Sequence, residues 1–317
     1  MVIFIVNIKE LIHMNSHSLV FNYRDNKHFL QEMHTIIKKR GSKTFEEWMV
    51  NNNFDSAYVR VTIVNERNGV LAVSGFIKSK AIINKTTLNT ILLTNTFTKS
   101  KESNPLMVNE LIQGVVKKYE NISDFIYTFS NVENDDVLIR NGFKKIKEYT
   151  YFMQWDPNKD AKLSVLKRLD LDTNQADFEF VKDELFHSSK NNSLFYIRED
   201  GALSIYSLLK YYRNNVFYIS NLDAIVIFSI NNKTFQLIGL YSKNEIDVLE
   251  LLESIVPKGI SLIEFYFVPN IKNKFVVKEL RKVMAADCQH RSFLYVKEST
   301  TNLEASKFVV PLLNRLK

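Results

Sequence analysis

The residues best placed to do chemistry lie between Thr94 and Met107, where Thr94-Asn95-Thr96-Phe97-Thr98 leads through Lys99, Lys101, Ser103 and Asn104 to Pro105-Leu106-Met107. An apolar strand pattern precedes this run and a helical pattern opens at Pro105. A helix that starts directly after a strand aims unpaired amides and a partial positive charge at whatever lies before it, which suits a phosphate or pyrophosphate. Lys99 and Lys101 add cations, and Ser103 and Asn104 add short polar side chains. The loop is nevertheless unusual for an anion cradle. No glycine falls between Gly75 and Gly114, Glu102 repels a phosphate, and Pro105 has no N–H to donate.

Other groupings carry less. Asp135-Asp136 has the form of paired carboxylates, but it directly precedes a short helix, where aspartate is favoured as a cap. His187-Ser188-Ser189 lacks both the Gly-x-Ser-x-Gly elbow and an acid partner. The six histidines show no metal-ligand spacing on one helix face, so no metal is expected. Cys288, the single cysteine, excludes an internal disulfide and points to a reducing, cytoplasmic setting.

The elements that must position the run are readable from periodicity. Phe29, Leu30, Met33, Ile36 and Ile37 recur at helical spacing over residues 28–39, and a short helix follows at 45–48, capped by Thr44. Residues 58–64 and 70–77 form a predicted hairpin, and 87–97 a buried strand. Pro105 suits a helix's first turn, and Leu106, Val108, Leu111, Ile112, Val115 and Val116 continue that helix. A strand at 124–129, a short segment at 137–141 leading to Gly142, and a final strand at 147–155 complete the first half. The polar, turn-prone Asp156-Pro157-Asn158-Lys159-Asp160 marks a boundary, giving domains 1–155 and 156–317. The second half carries predicted helices at 178–186, 205–213 and 245–255, with strands at 216–219, 224–230, 235–241 and 261–268.

A chain of 317 residues favours two domains, and 45% hydrophobic with 24% charged residues is a globular composition. The net charge of +7 is spread over small clusters such as Lys117-Lys118 and Lys144-Lys145. They read as solvated faces that steer an anionic substrate, rather than as a nucleic-acid interface. No run approaches the roughly 18 apolar residues of a membrane helix, so neither nucleic acid nor membrane is an expected partner.

The first half resembles the GNAT superfamily of N-acetyltransferases over residues 45–152. The resemblance rests on the Glu47-Trp48 helix, the hairpin, the strand ending Thr94-Asn95-Thr96-Phe97-Thr98, and Asn141-Gly142-Phe143-Lys144-Lys145-Ile146. It implies that Asn95, Thr96 and Phe97 pair through their backbone with the pantetheine arm of acetyl-CoA or another acyl-CoA. It further implies that Lys99, Lys101, Ser103, Asn104, Leu106 and Met107 hold the pyrophosphate, with Asn131 available for a further hydrogen bond. The family's Arg/Gln-x-x-Gly-x-Gly/Ala pattern is replaced here by Glu102-Ser103-Asn104-Pro105-Leu106-Met107. Leu138 stands where many members carry the Tyr that protonates the departing thiolate, and no catalytic residue is assigned. Tyr149 and Tyr151 are the aromatics expected nearest the cleft.

The second half is similar to the C-terminal, GNAT-like domain of tandem acetyltransferases of the enhanced-intracellular-survival type. That similarity rests on Leu222-Asp223-Ala224-Ile225-Val226-Ile227, the pattern from Leu237 to Ile255, Glu264-Phe265-Tyr266-Phe267-Val268-Pro269, and Phe293-Leu294-Tyr295-Val296. The implied fold is α+β: two GNAT-like domains, each a twisted, mixed, mostly antiparallel sheet flanked by helices. The implied function is transfer of an acyl group from CoA to an amine on a small molecule or peptide. The alternative is a GNAT-derived binding or assembly module without cofactor chemistry.

Overall fold

The structure, a computed structural model, describes residues 11–14, 17–39, 45–51, 58–100, 104–133, 135–156, 163–187, 193–198, 201–271, 275–279, 292–298, 303 and 307–315. Thr44, Lys101, Glu102, Ser103, Ser188, Ser189, Cys288 and most of the 156–160 turn lie outside the described residues. The chain divides into two compact units, one of Met1–Ser79, Asn89–Lys145 and Phe293–Asn302, the other of Lys80–Leu88, Ile146–Ser292 and Leu303–Lys317.

In chain order come β1 (Leu11–Met14), β2 (His17–Phe21), α1 (Lys27–Lys38), α2 (Phe45–Asn51), β3 (Tyr58–Asn65) and β4 (Val70–Ile83), then β5 (Thr86–Leu93), β6 (Phe97–Thr98), α3 (Pro105–Tyr119), β7 (Phe125–Ser130), α4 (Asp136–Arg140) and β8 (Lys144–Ile146). All lie in the first unit except the end of β4, the start of β5 and Ile146, which are assigned to the second. The second unit holds β9 (Tyr149–Gln154), β10 (Leu166–Arg168), α5 (Gln175–His187), β11 (Ser193–Arg198) and α6 (Ala202–Ser207), which runs on into a π-helical turn at Leu208–Tyr212. Then come β12 (Val216–Ile219), β13 (Ala224–Asn231), β14 (Thr234–Tyr241), α7 (Val248–Ile255), β15 (Leu262–Phe265), β16 (Val268–Pro269) and β17 (Val276–Glu279). The chain returns to the first unit as β18 (Phe293–Glu298), and its last segment, Leu303–Lys317, belongs again to the second.

Alternation decides the faces of the first sheet, whose order is β1-β2-β3-β4-β5-β7-β18-β8. Leu19 and Phe21 of β2 point to the side covered by α3, while Val20 between them joins the cluster under α1. Under α3, the buried face of Leu111, Ile112, Val115, Val116 and Tyr119 packs on Val61, Ile63, Phe76, Ile91 and Ile126. Gly114 lets the helix approach closely, since a Cβ there would stand 2.4 Å from Leu19 Cδ1. Under α1, Phe29, Met33, Ile36 and Ile37 pack on Val20, Tyr23, Val64 and Val73. Each such side chain contributes roughly 1.5–3 kcal/mol by leaving water. Asn26 starts α1 by accepting a hydrogen bond from the Phe29 amide at 3.1 Å.

The second sheet has the order β10-β12-β13-β14-β15-β9-β17. Strand β9, expected to close the first half, therefore lies in the second unit, between β15 and β17. In the first unit β18 takes the edge of β7, with Phe293↔Ser130 and Glu298↔Phe125. Both strands are short, largely apolar runs, Tyr149–Gln154 and Phe293–Glu298, and such a run carries no information about which sheet supplies the partner. Helix α7 begins at Val248 rather than 245, because Asp247 caps it by accepting from the Leu249 and Glu250 amides.

One polar ladder crosses the second sheet. Ser229 Oγ donates to Gln236 Oε1 at 2.9 Å, and Gln236 Nε2 donates to Glu264 Oε2 at 2.7 Å. Burial holds the Glu264 carboxyl above its ordinary pKa, against the lowering effect of its hydrogen bonds to Gln236 and Tyr266. The folded state thus favours the protonated acid, a contribution present below about pH 4.5 and lost as pH rises through the raised value. Glu264→Gln keeps an acceptor for Gln236 and cannot ionise. The variant should gain stability relative to the parent between pH 4 and pH 8, read from urea midpoints at both; equal differences would remove the burial argument.

Candidate functional site

The site grows from the place where two parallel strands part. Strands β5 and β7 pair at Thr90↔Phe125, Ile91↔Ile126 and Leu92↔Tyr127, joined through the α3 crossover. Pairing stops at Leu93, whose carbonyl accepts from Thr128 Oγ1 at 3.1 Å. Beyond it the chain leaves β7 and turns onto β4. The Thr94 amide donates to the Gly75 carbonyl at 2.9 Å, and β6 pairs Phe97 with Val73 and Thr98 with Ala72. Strand β7 continues to Ser130 along β18. A wedge opens between the two paths, with α3 packed against β6 and against α4. Asn141 Nδ2 donates to Asn109 Oδ1 at 2.8 Å, tying α4 to α3.

The structure brings most of the described candidates to this wedge. Asn95 and Thr96 lie on the departing segment, where Ser74 Oγ donates to the Asn95 carbonyl and Thr96 Oγ1 donates to Ser74 Oγ. Phe97 is half-buried and packs toward the α1 cluster. Lys99 Nζ makes an ion pair with Glu32 at 2.9 Å, and that hydrogen bond holds the Glu32 carboxyl below the usual carboxylate range. Asn131 is exposed just after β7. Lys101 and Ser103 lie outside the described residues.

Asn104 has a definite local role. Its Oδ1 accepts from the Leu106 amide at 3.1 Å and the Met107 amide at 3.5 Å, and its carbonyl accepts from Val108. With Pro105 lacking a donor, each of the helix's first four positions is closed. An Asn followed by Pro is the signature of a helix cap and first residue, so this closure was readable in advance. Asn104→Ala should cost about 1 kcal/mol of stability, measurable as a lowered urea midpoint; an unchanged midpoint would contradict the capping geometry.

Leu138 is buried in the α3-side core, and Leu138 N donates to Asp135 Oδ1 at 3.2 Å. Asp135 is thus the cap of α4, as the capping reading expected, and its other oxygen accepts from Ser130 Oγ at 2.8 Å. Sequence reasoning missed Tyr295. Its hydroxyl, carried in by β18, accepts from the Asp135 amide at 3.1 Å and donates into the carbonyls of the Val132–Glu133 turn. Tyr149 and Tyr151, the aromatics expected nearest the cleft, are carried by β9 into the second sheet, where Tyr151 Oη donates to the Lys307 carbonyl at 2.5 Å.

The second unit repeats the local arrangement with a different filling. Strands β14 and β15 run parallel from Thr234↔Leu262 to Leu237↔Phe265 and then part, with α7 as the crossover. A small cavity at this opening is lined by Gly239, Tyr241, Phe267, Tyr196, Pro311 and Asn314. Pro311 and Asn314 bring the C-terminal segment to this opening, its 312–314 turn packs on β14, and Phe308, Val309, Val310, Leu312 and Leu313 beside them are all buried. Asp247 places a carboxylate at the start of α7, which disfavours an anion there.

A strand, a crossover helix and a parallel strand that splays from the first, inside a mixed, mostly antiparallel sheet flanked by helices, define the GNAT-type N-acetyltransferase fold, and this chain has it. Among solved structures it is similar to a conserved protein of unknown function from Enterococcus faecalis V583, a probable N-acyltransferase: 11% identity, 90% of this chain and 73% of that one, TM-score 0.56. It is also similar to Eis1 from Mycobacterium abscessus, at 9% identity over 88% of this chain and 72% of that one, TM-score 0.50. By sequence the chain matches no family model and no curated protein.

Proposed function

We propose that the chain is an N-acyltransferase that takes an acyl group from a CoA-type thioester and passes it to an amine of a small molecule or peptide. The observation that carries this reading is the wedge between β5 and β7 in the first unit. It offers a strand edge at Asn95, Thr96 and Phe97 to the amide-rich pantetheine arm. A bound thioester supplies the electrophilic carbonyl. The chain's residues hold the arm and orient it, and proximity to the amine supplies much of the acceleration. The amine attacks in its neutral form; an N–C bond forms, the C–S bond breaks, and the proton lost by nitrogen passes to the departing thiolate through water. Leu138, sealed in the core, has no part in that transfer. We assign the acyl donor to the first unit because the C-terminal segment lines the corresponding opening of the second and leaves only a small cavity there.

A second reading has support in the closed start of α3 and in Leu138: a GNAT-derived binding module without acyl transfer. Calorimetric titration of the full chain with acetyl-CoA and with S-acetyl-pantetheine separates the two. Saturable binding of either is expected, and silence from both at millimolar ligand would leave only the binding module.

A further inference from the structure

We propose that the acyl donor is recognised by its pantetheine arm and not by its adenosine diphosphate, so that the donor class is a pantetheine or phosphopantetheine thioester, free or carried on a protein. This rests on the acyltransferase reading and narrows it. A phosphate-cradling helix leaves its first amides pointing outward, whereas here the donors of α3 are already engaged. Pro105 has none, Leu106 and Met107 donate to Asn104 Oδ1, and Val108 donates to the Asn104 carbonyl. A pyrophosphate would have to displace the side chain that starts the helix.

The described cation beside the loop is engaged as well. Lys99 Nζ sits 2.9 Å from Glu32 Oε2, and a phosphate drawing on Lys99 would meet that carboxylate at close range. The exposed residues around the wedge are mixed, polar at Asn95, Asn131 and Glu133 and apolar at one position on each of the two helices. Leu106, on the first turn of α3, is 74% exposed, and Ile139 on α4 is 49% exposed. The Asn109–Asn141 hydrogen bond holds the two helices together, while Met107 and Val137 pack below against the core. Leu106 and Ile139 beside a polar strand edge match the arm's chemistry: a dimethyl-bearing pantoyl group with two amides, flexible and uncharged up to its phosphate. It does not match a doubly charged pyrophosphate.

The test compares acetyl-CoA, S-acetyl-phosphopantetheine, S-acetyl-pantetheine and an acetylated acyl-carrier protein, each titrated calorimetrically into the full chain. A site that cradles pyrophosphate through charge-assisted bonds should favour CoA by about tenfold or more. The expected result is that the two small arms bind within about threefold of acetyl-CoA. Tighter binding of the carrier protein would identify a protein-borne donor, and equal binding a free one. Asn104→Gly retains most of the cap's stability and releases two amides, so its preference for CoA over phosphopantetheine should rise. Acetyl-CoA favoured tenfold by the parent chain, with no rise in Asn104→Gly, would overturn the proposal and leave the acyltransferase reading standing. No binding of any thioester would overturn both. Lys101→Ala gives a further check: if that change alone removes a CoA preference, a lysine is doing the work the amides are not, and the proposal fails.

Discussion

Arg315→Ala is expected to destabilise the second unit by about 3–5 kcal/mol, a large part of the 5–15 kcal/mol that holds a typical domain folded. Arg315 Nη1 contacts both oxygens of Glu148, at 2.7 and 2.8 Å, with side-chain exposures of 0% and 5%. Glu148 Oε1 also accepts from the Val310 amide at 2.9 Å, so the carboxylate fastens the C-terminal segment at two points. Removing the guanidinium strands a buried charge and loosens the segment that lines the β14–β15 opening. The chain has two tryptophans, Trp48 and Trp155, and Trp155 packs against the second core. In a Trp48→Phe background, Trp155 fluorescence therefore reports urea unfolding of the second unit. Glu148→Leu with Arg315→Met should recover part of the loss, because an apolar pair of similar bulk carries no stranded charge, while the Val310 amide still loses its acceptor. A shift under about 1 kcal/mol in Arg315→Ala would mean that the pair is solvated.

That ion pair also marks the limit of reading the chain from its letters. Elements with their own periodicity were legible: the hairpin of β3 and β4, the amphipathic α1, and α3 starting at Pro105. So were Leu138 as a position without a proton to give and Asp135 as a cap. Each depends on residues a few places apart. Illegible were the features that join distant residues. Nothing in Tyr149–Gln154 or Phe293–Glu298 says that the earlier strand joins the second unit's sheet and the later one the first unit's. Nothing near Glu148 points to a partner 167 residues away. Tyr295, which ties the Val132–Asp135 turn, reads in sequence as one more core aromatic. The candidate site lay between these cases. Its strand, loop and helix could be placed, whereas the engagement of Lys99 by Glu32 depends on how α1 crosses the sheet.

Gly75→Ala is expected to cost about 1–3 kcal/mol through overpacking and to weaken thioester binding at the wedge. Gly75 lies opposite Arg60 on β3, and a Cβ there would stand 2.2 Å from Tyr58 Oη, 2.3 Å from its Cζ and 2.5 Å from its Cε2. The phenol has nowhere to go. Tyr58 is fully buried, Phe45 meets it edge-on at 5.9 Å, and the Arg60 guanidinium sits 5.6 Å over its ring. Burial first, and then the negative charge of Glu46, push its pKa well up, so the ring stays a neutral phenol. The backbone must then yield at Gly75, whose carbonyl accepts from both the amide and the hydroxyl of Thr94, at 2.9 and 3.0 Å. Those two bonds set the point where the chain leaves β5, so a displaced carbonyl misplaces Asn95, Thr96 and Phe97 together. Tyr58→Leu should restore much of the lost stability in the double variant, because it removes the three atoms in collision. The check is a double-mutant cycle on urea midpoints, with S-acetyl-pantetheine titrated into each folded variant. Additive effects of the two changes would show that Gly75 is not kept free of a side chain by the Tyr58 ring. A Gly75→Ala chain that folds less stably yet binds the thioester as the parent does would separate the wedge from the binding site.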